Sequence, residues 1–193
     1  DEADIERAAE AMMRHVAHLV QIERRTGVKI ALAIEPEPCC WLETTAEAVA
    51  FFEKYLLSPE ALSRLSRTAD IAPGPRVEQA VRSHLGVCLD LCHAAVEFED
   101  PLESLAELRS AGIAIPKVQL SAGLRIPHVT PAAIERLRAF EDDVFLHQVV
   151  ERRAGSRELR RFEDLHQAFA AYDADRRDES HAAGRAGGAA DRE

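Results

Sequence analysis

Leu85-Gly-Val-Cys-Leu-Asp-Leu-Cys-His93 reads as a buried β-strand that ends on an acid followed closely by a histidine. The apolar run 87–91 carries Asp90 inside it. An ionised carboxylate is costly to desolvate unless a partner compensates it. Asp90 and His93 offer one oxygen and one nitrogen ligand, so a metal ion is one partner that fits. Three other apolar runs carry a polar residue at or near their C-terminal end: 28–34 before Glu35, 115–120 with Gln119, and 144–150 before Glu151.

Helical patterns separate these runs. Ile5, Ala8, Met12, Val16 and Leu19 recur at helical spacing over 3–25, and Gly27 stops that helix. Thr44 with Glu47 forms a capping box for a helix over 46–56. Further helices are predicted over 58–67, after Pro73-Gly-Pro75 to His84, over 101–111, over 131–140 and over 162–172. Strands alternating with helices predict βα units and a parallel sheet. In such sheets and barrels, ligands bind at the carboxyl ends of the strands.

Side chains alternate across a strand. One face then collects Glu35, Asp90, Gln119, His147 and Glu151, and His93 folds back toward it from a loop. Cys88, Lys117 and Ser121 share that face. Carboxylate, imidazole and amide oxygen suit a divalent ion such as Mn²⁺, Mg²⁺, Co²⁺ or Zn²⁺. Glu37 follows a proline and reads as a rim residue, while His147 lies deep in its strand and reads equally as a hydrogen-bonded core histidine or a ligand; these two and Arg125 are the substrate-binding candidates. Lys117 or Arg125 would steady developing negative charge, and Glu35 with Glu151 would move a proton.

Composition narrows the partners. The net charge is −10 over 193 residues, and the short arginine pairs are interleaved with acids. That excludes a basic nucleic-acid stripe and favours a small-molecule metabolite. No run is long and apolar enough for a transmembrane helix, and no secretory signal is visible. Cys39, Cys40, Cys88 and Cys92 lack the Cys-x-x-Cys spacing of structural zinc, which predicts reduced thiols in a cytoplasmic protein. Residues 173–193 are polar and rich in Gly and Ala, and read as a disordered tail after one domain over 1–172.

Four longer motifs carry a family resemblance. Ala-Ile-Glu-Pro-Glu-Pro-Cys-Cys-Trp-Leu-Glu-Thr-Thr (33–45), Cys-His-Ala-Ala-Val-Glu-Phe-Glu-Asp (92–100), Lys-Val-Gln-Leu-Ser (117–121) and Leu-His-Gln-Val-Val-Glu-Arg (146–152) resemble the EboE family of metabolite traffic proteins. That family is similar to the xylose isomerase-like TIM-barrel superfamily, with its sugar epimerases and endonuclease IV-type enzymes. The resemblance implies an α/β fold: a partial (β/α)8 barrel, about four parallel strands with outer helices. It implies a metal set of Glu35, Asp90, His93, Gln119 and Glu151. The chain looks like the C-terminal half of such a barrel, whose open sheet edges would invite self-association. Gln119 stands where the epimerases and endonucleases usually place histidine.

The resemblance implies handling or export of a secondary-metabolite precursor. The catalytic alternative is a metal-dependent sugar isomerase or epimerase, with Glu35, Glu151 and Lys117 catalytic. Phosphodiester hydrolysis ranks below both, because the chain is acidic and places few histidines on the right face.

Overall fold

The structure is a computed structural model that describes residues 1–187, with side-chain environments to residue 177. The chain divides into two compact units, 1–123 and 124–193, where the sequence predicts one domain over 1–172.

The first unit opens with α1 (Glu2–Thr26), capped by Asp1 and closed by Gly27 in the left-handed region. Its buried face is Ala9, Met13, Val16, Ala17 and Val20. Ala8 is exposed, so the buried stripe is rotated by about one position from the predicted one. β1 (Leu32–Ile34) follows, then α2 (Thr45–Phe51), which runs on through a π-helical turn, Phe52–Leu56. The capping box between Thr44 and Glu47 is present. After α3 (Pro59–Thr68) and α4 (Pro75–His84) comes β2 (Leu85–Asp90). α5 (Leu91–Val96), α6 (Pro101–Ser110) and β3 (Ala114–Gln119) complete the unit.

The three strands form one parallel sheet in the order β1-β2-β3. The fold is therefore α/β, with β2 buried along its whole length in the centre. Leu85 and Val87 enter the core beside Ile34 and Ile115, against helical residues such as Val16, Phe52, Leu65, Val81 and Leu108. β1 is shorter than the run 28–34, since only its last residues pair with β2. Val28 and Ile30, on the approach to β1, and Leu32, its first residue, are 55%, 43% and 42% exposed, and among the described residues β1 pairs with β2 alone. His84, fully buried, fixes the approach to β1: its Nδ1 lies 2.7 Å from the Ile30 carbonyl and its Nε2 lies 3.1 Å from Glu23.

The second unit departs from expectation. The predicted strand over 144–150 is absent as such. Asp142 Oδ1 accepts the N–H groups of Val144 at 2.6 Å and Phe145 at 3.3 Å, and this turn interrupts extension. Pairing begins only at β4 (Val149–Arg152), which runs antiparallel to β5 (Leu159–Phe162). β5 escaped the periodicity because two arginines occupy its centre; Arg160 lies 5.0 Å over the Phe162 ring. α7 (Pro131–Leu137) extends through a 3₁₀ turn, Arg138–Phe140, as predicted over 131–140. α8 (Leu165–Gly187) buries Leu165 and Phe169 and continues past Asp173, where the sequence predicts a disordered tail. The remainder of that tail, 188–193, lies outside the described residues.

Two contacts make the first unit testable. A Cβ on Gly86 would meet the Ala114 carbonyl oxygen at 2.4 Å and Pro116 Cδ at 2.5 Å. Gly86→Ala is therefore expected to destabilise the protein by about 1–3 kcal/mol in denaturant titration, because a backbone oxygen has to move. Half-buried Glu99 accepts the Thr45 N–H at 2.9 Å and the Thr45 hydroxyl at 3.1 Å, which ties α2 to the segment before α6. Burial, more than the hydrogen bonds to Thr45 can offset, raises its carboxyl above the usual range, with Glu107 and Glu97 adding repulsion. A raised acid binds more protons folded than unfolded, so stability falls as pH climbs from the ordinary glutamate value through the folded one. Glu99→Gln is expected to flatten that fall in thermal unfolding scanned over pH, with no loss of stability at neutral pH.

Candidate functional site

The C-terminal ends of the three parallel strands gather the polar residues. Asp90 closes β2 and caps α5, so strand and helix meet at one carboxylate. Its Oδ1 accepts the backbone N–H groups of Cys92 at 2.8 Å and His93 at 3.2 Å, and the Ser121 hydroxyl at 2.6 Å. Its Oδ2 accepts from the Gln119 amide. Burial alone would raise the Asp90 carboxyl. The donors from Ser121 and from the His93 and Cys92 backbones, with His93 nearby, outweigh it and hold the group below the usual carboxylate range.

Glu35 arrives just past β1. Its Oε1 accepts from Gln119 Nε2 at 2.8 Å and lies 3.6 Å from His93 Nδ1. His93 is brought back by the first turn of α5, where Nδ1 sits 3.1 Å from the Pro36 carbonyl. When Nδ1 carries the proton to that carbonyl, Nε2 is left as the lone-pair nitrogen. Glu35, Asp90 and His93 offer three ligand atoms that all lie within 4.8 Å of one another. Among the described residues, that is the group of histidine, cysteine and carboxylate side chains that converges this closely. Two oxygens and one imidazole match the donor set of the divalent ions predicted from the sequence, so these residues fit such a group.

Lys117 and Gln119 come from β3. They reach the site through an irregularity in the β2–β3 ladder between Gly86 and Cys88, after which Cys88 faces Lys117 and Asp90 faces Gln119. Lys117 Nζ donates to Gln119 Oε1 at 2.6 Å. Buried Cys88 lies beneath Glu35; burial first, then the Glu35 charge and hydrogen bond, push its thiol up.

The other predicted site residues have surroundings of their own. Glu37 closes a turn with Leu42, its N–H donating to the Leu42 carbonyl at 2.9 Å, and its side chain stands beside Cys40. Glu151, His147 and Arg125 belong to the second unit. Glu151 pairs with Arg160 across the β4–β5 ladder, 4.0 Å from its guanidinium. The backbone N–H of His147 donates to Asp164 Oδ1 at 3.2 Å, and its Nδ1 lies 3.7 Å from the same oxygen. The strand that would have turned Phe145, His147 and Glu151 to one face is replaced by the Asp142 turn and the hairpin.

Ser121 is the functional residue that sequence reasoning passed over. It was on the correct face, but a serine after a strand reads as solvent-exposed. Comparison with protein-family models, curated proteins and solved structures gives no match to this chain.

Ser121→Ala removes one of the Oδ1 donors. The Asp90 carboxyl is expected to titrate at higher pH, read from its carbon resonance by NMR. A depressed acid contributes stability above the unfolded value that is lost as pH falls through the folded one. The variant is therefore expected to begin acid unfolding at higher pH than the parent.

Proposed function

We propose that Glu35, Asp90 and His93 bind a divalent cation, Mn²⁺, Mg²⁺, Co²⁺ or Zn²⁺, and through it an oxygen-rich small metabolite. The observation that carries this reading is their convergence within 4.8 Å at the carboxyl ends of parallel strands. That is the place where α/β sheets and barrels bind their ligands. The cation would present Lewis-acid coordination to carbonyl and hydroxyl oxygens. Asp90 would contribute Oδ2, since Oδ1 already accepts three donors.

With the EboE-like motifs, this site supports a cytoplasmic role in handling or export of a secondary-metabolite precursor. The parallel order β1-β2-β3 supports reading the first unit as consecutive βα units of a xylose isomerase-like half barrel. The exposed row Val28, Ile30 and Leu32 supports self-association through an open edge. Binding without turnover is the first reading because the EboE-like motifs point to traffic and carry no assigned reaction; isomerase or epimerase chemistry, with Glu35 and Glu151 moving the proton, is the alternative. Hydrolysis of the endonuclease IV kind is disfavoured by a cluster with a single histidine.

Calorimetric titration with Mn²⁺, Co²⁺, Zn²⁺ and Mg²⁺ is expected to show one saturable site per chain. Asp90→Ala and His93→Ala are each expected to abolish it while the helical circular dichroism persists. Saturable binding unchanged in both variants would sink the reading. Deuterium uptake into a panel of sugars in deuterated water would establish turnover and favour the epimerase alternative.

A further inference from the structure

The orientation of the Gln119 amide bears on the proposed cation site, and the role it gives Lys117 rests on that site. A lysine ammonium only donates hydrogen bonds, and a carboxylate only accepts them. The neighbours of Gln119 therefore fix which end of its amide is which. Lys117 Nζ donates to Oε1 at 2.6 Å, and Nε2 donates to Glu35 Oε1 at 2.8 Å and to Asp90 Oδ2. The amide NH₂ thus bridges Glu35 and Asp90, two of the residues that would hold the cation.

Asp90 has no spare position elsewhere, because its Oδ1 accepts from Cys92, His93 and Ser121. Two N–H dipoles held between two carboxylates partly neutralise them. For Gln119 to become a ligand, its amide has to turn over and bring Oε1 inward. That would set Nε2 against the Lys117 ammonium, donor facing donor. Moving the amide aside instead leaves Lys117 without this acceptor.

We infer that Lys117 is a positioning residue that locks the Gln119 amide with its NH₂ toward Glu35 and Asp90, so that the amide competes with the cation. The site carries its own weak substitute for the ion. Lys117 lowers cation affinity through Gln119 as well as by its charge, and the site favours reversible loading over a resident metal.

The test is a double-mutant cycle on Mn²⁺ affinity, using the wild type, Lys117→Met, Gln119→Ala and the double variant. Lys117→Met is expected to tighten Mn²⁺ binding by about tenfold, the scale of one charge-assisted hydrogen bond. In the Gln119→Ala background the same change is expected to have an effect of about threefold or less, from charge alone. Lys117→Arg keeps the donor and is expected to stay near wild type. Equal gains in both backgrounds would show Lys117 acting as a bare charge, which overturns the positioning role and leaves the cation site standing. No saturable Mn²⁺ binding in any of the four proteins overturns the cation site. The metal-free protein supplies an independent readout. The two Gln119 side-chain N–H resonances are expected to lie away from free-amide positions and to exchange slowly with solvent in wild type, and to move toward free-amide positions and exchange faster in Lys117→Met; an unchanged pair overturns the positioning role whatever the metal does.

Discussion

One desolvated carboxylate organises the first unit. Asp90 ends the central strand, and its burial would be prohibitive without donors. Those donors come from two neighbouring elements: the first turn of α5 supplies two backbone N–H groups, and β3 with the residues after it supplies Gln119 and Ser121. Each is a group that would otherwise need a partner of its own. The backbone donors are the orphan N–H groups of a helix N-terminus, so the same contact caps α5 and stabilises the charge. The strand, the helix that turns back from it and the neighbouring strand are thereby held to one point.

The register of β3 decides what surrounds that point. If Gly86 opposite Ala114 continued without interruption, Asp90 would face Val118. A one-residue slip turns every side chain to the other face. The irregularity between Gly86 and Cys88 supplies that residue, and it sits beside the tight approach of Gly86 to Pro116. Lys117 and Gln119 are therefore site residues because of a bulge, and Val118 and Leu120 are turned away because of it. The hydrogen bonds from Lys117 to Gln119 and from Gln119 to Glu35 and Asp90 then form a chain across all three strands.

Much of this unit was legible in the sequence. The capping box at Thr44, the prolines at Pro59 and Pro101, and the apolar runs around 85–91 and 115–120 all correspond to elements in place. Local rules suffice there because caps and breakers act within a few residues. The second unit was read less well. Val144, Phe145 and Leu146 look like a buried strand, yet each is mostly exposed, 79%, 69% and 69%. An aspartate two residues earlier offers the backbone a turn instead, and Arg160 and Arg161 disguise a strand whose partner is found by antiparallel pairing.

The sequence alone determined that a parallel α/β unit was present and that Glu35, Asp90 and His93 stood at strand ends. Alternating helices and strands, and an acid too costly to bury alone, require as much. Side-chain alternation also put Lys117, Gln119 and Ser121 on that face. Tertiary structure alone decided how they are used: the bulge sets Gln119 opposite Asp90, Ser121 donates to Asp90, and Glu151 stands opposite Arg160 in a hairpin ladder. These outcomes depend on strand register and on pairing between distant segments, which no local pattern of residue types encodes.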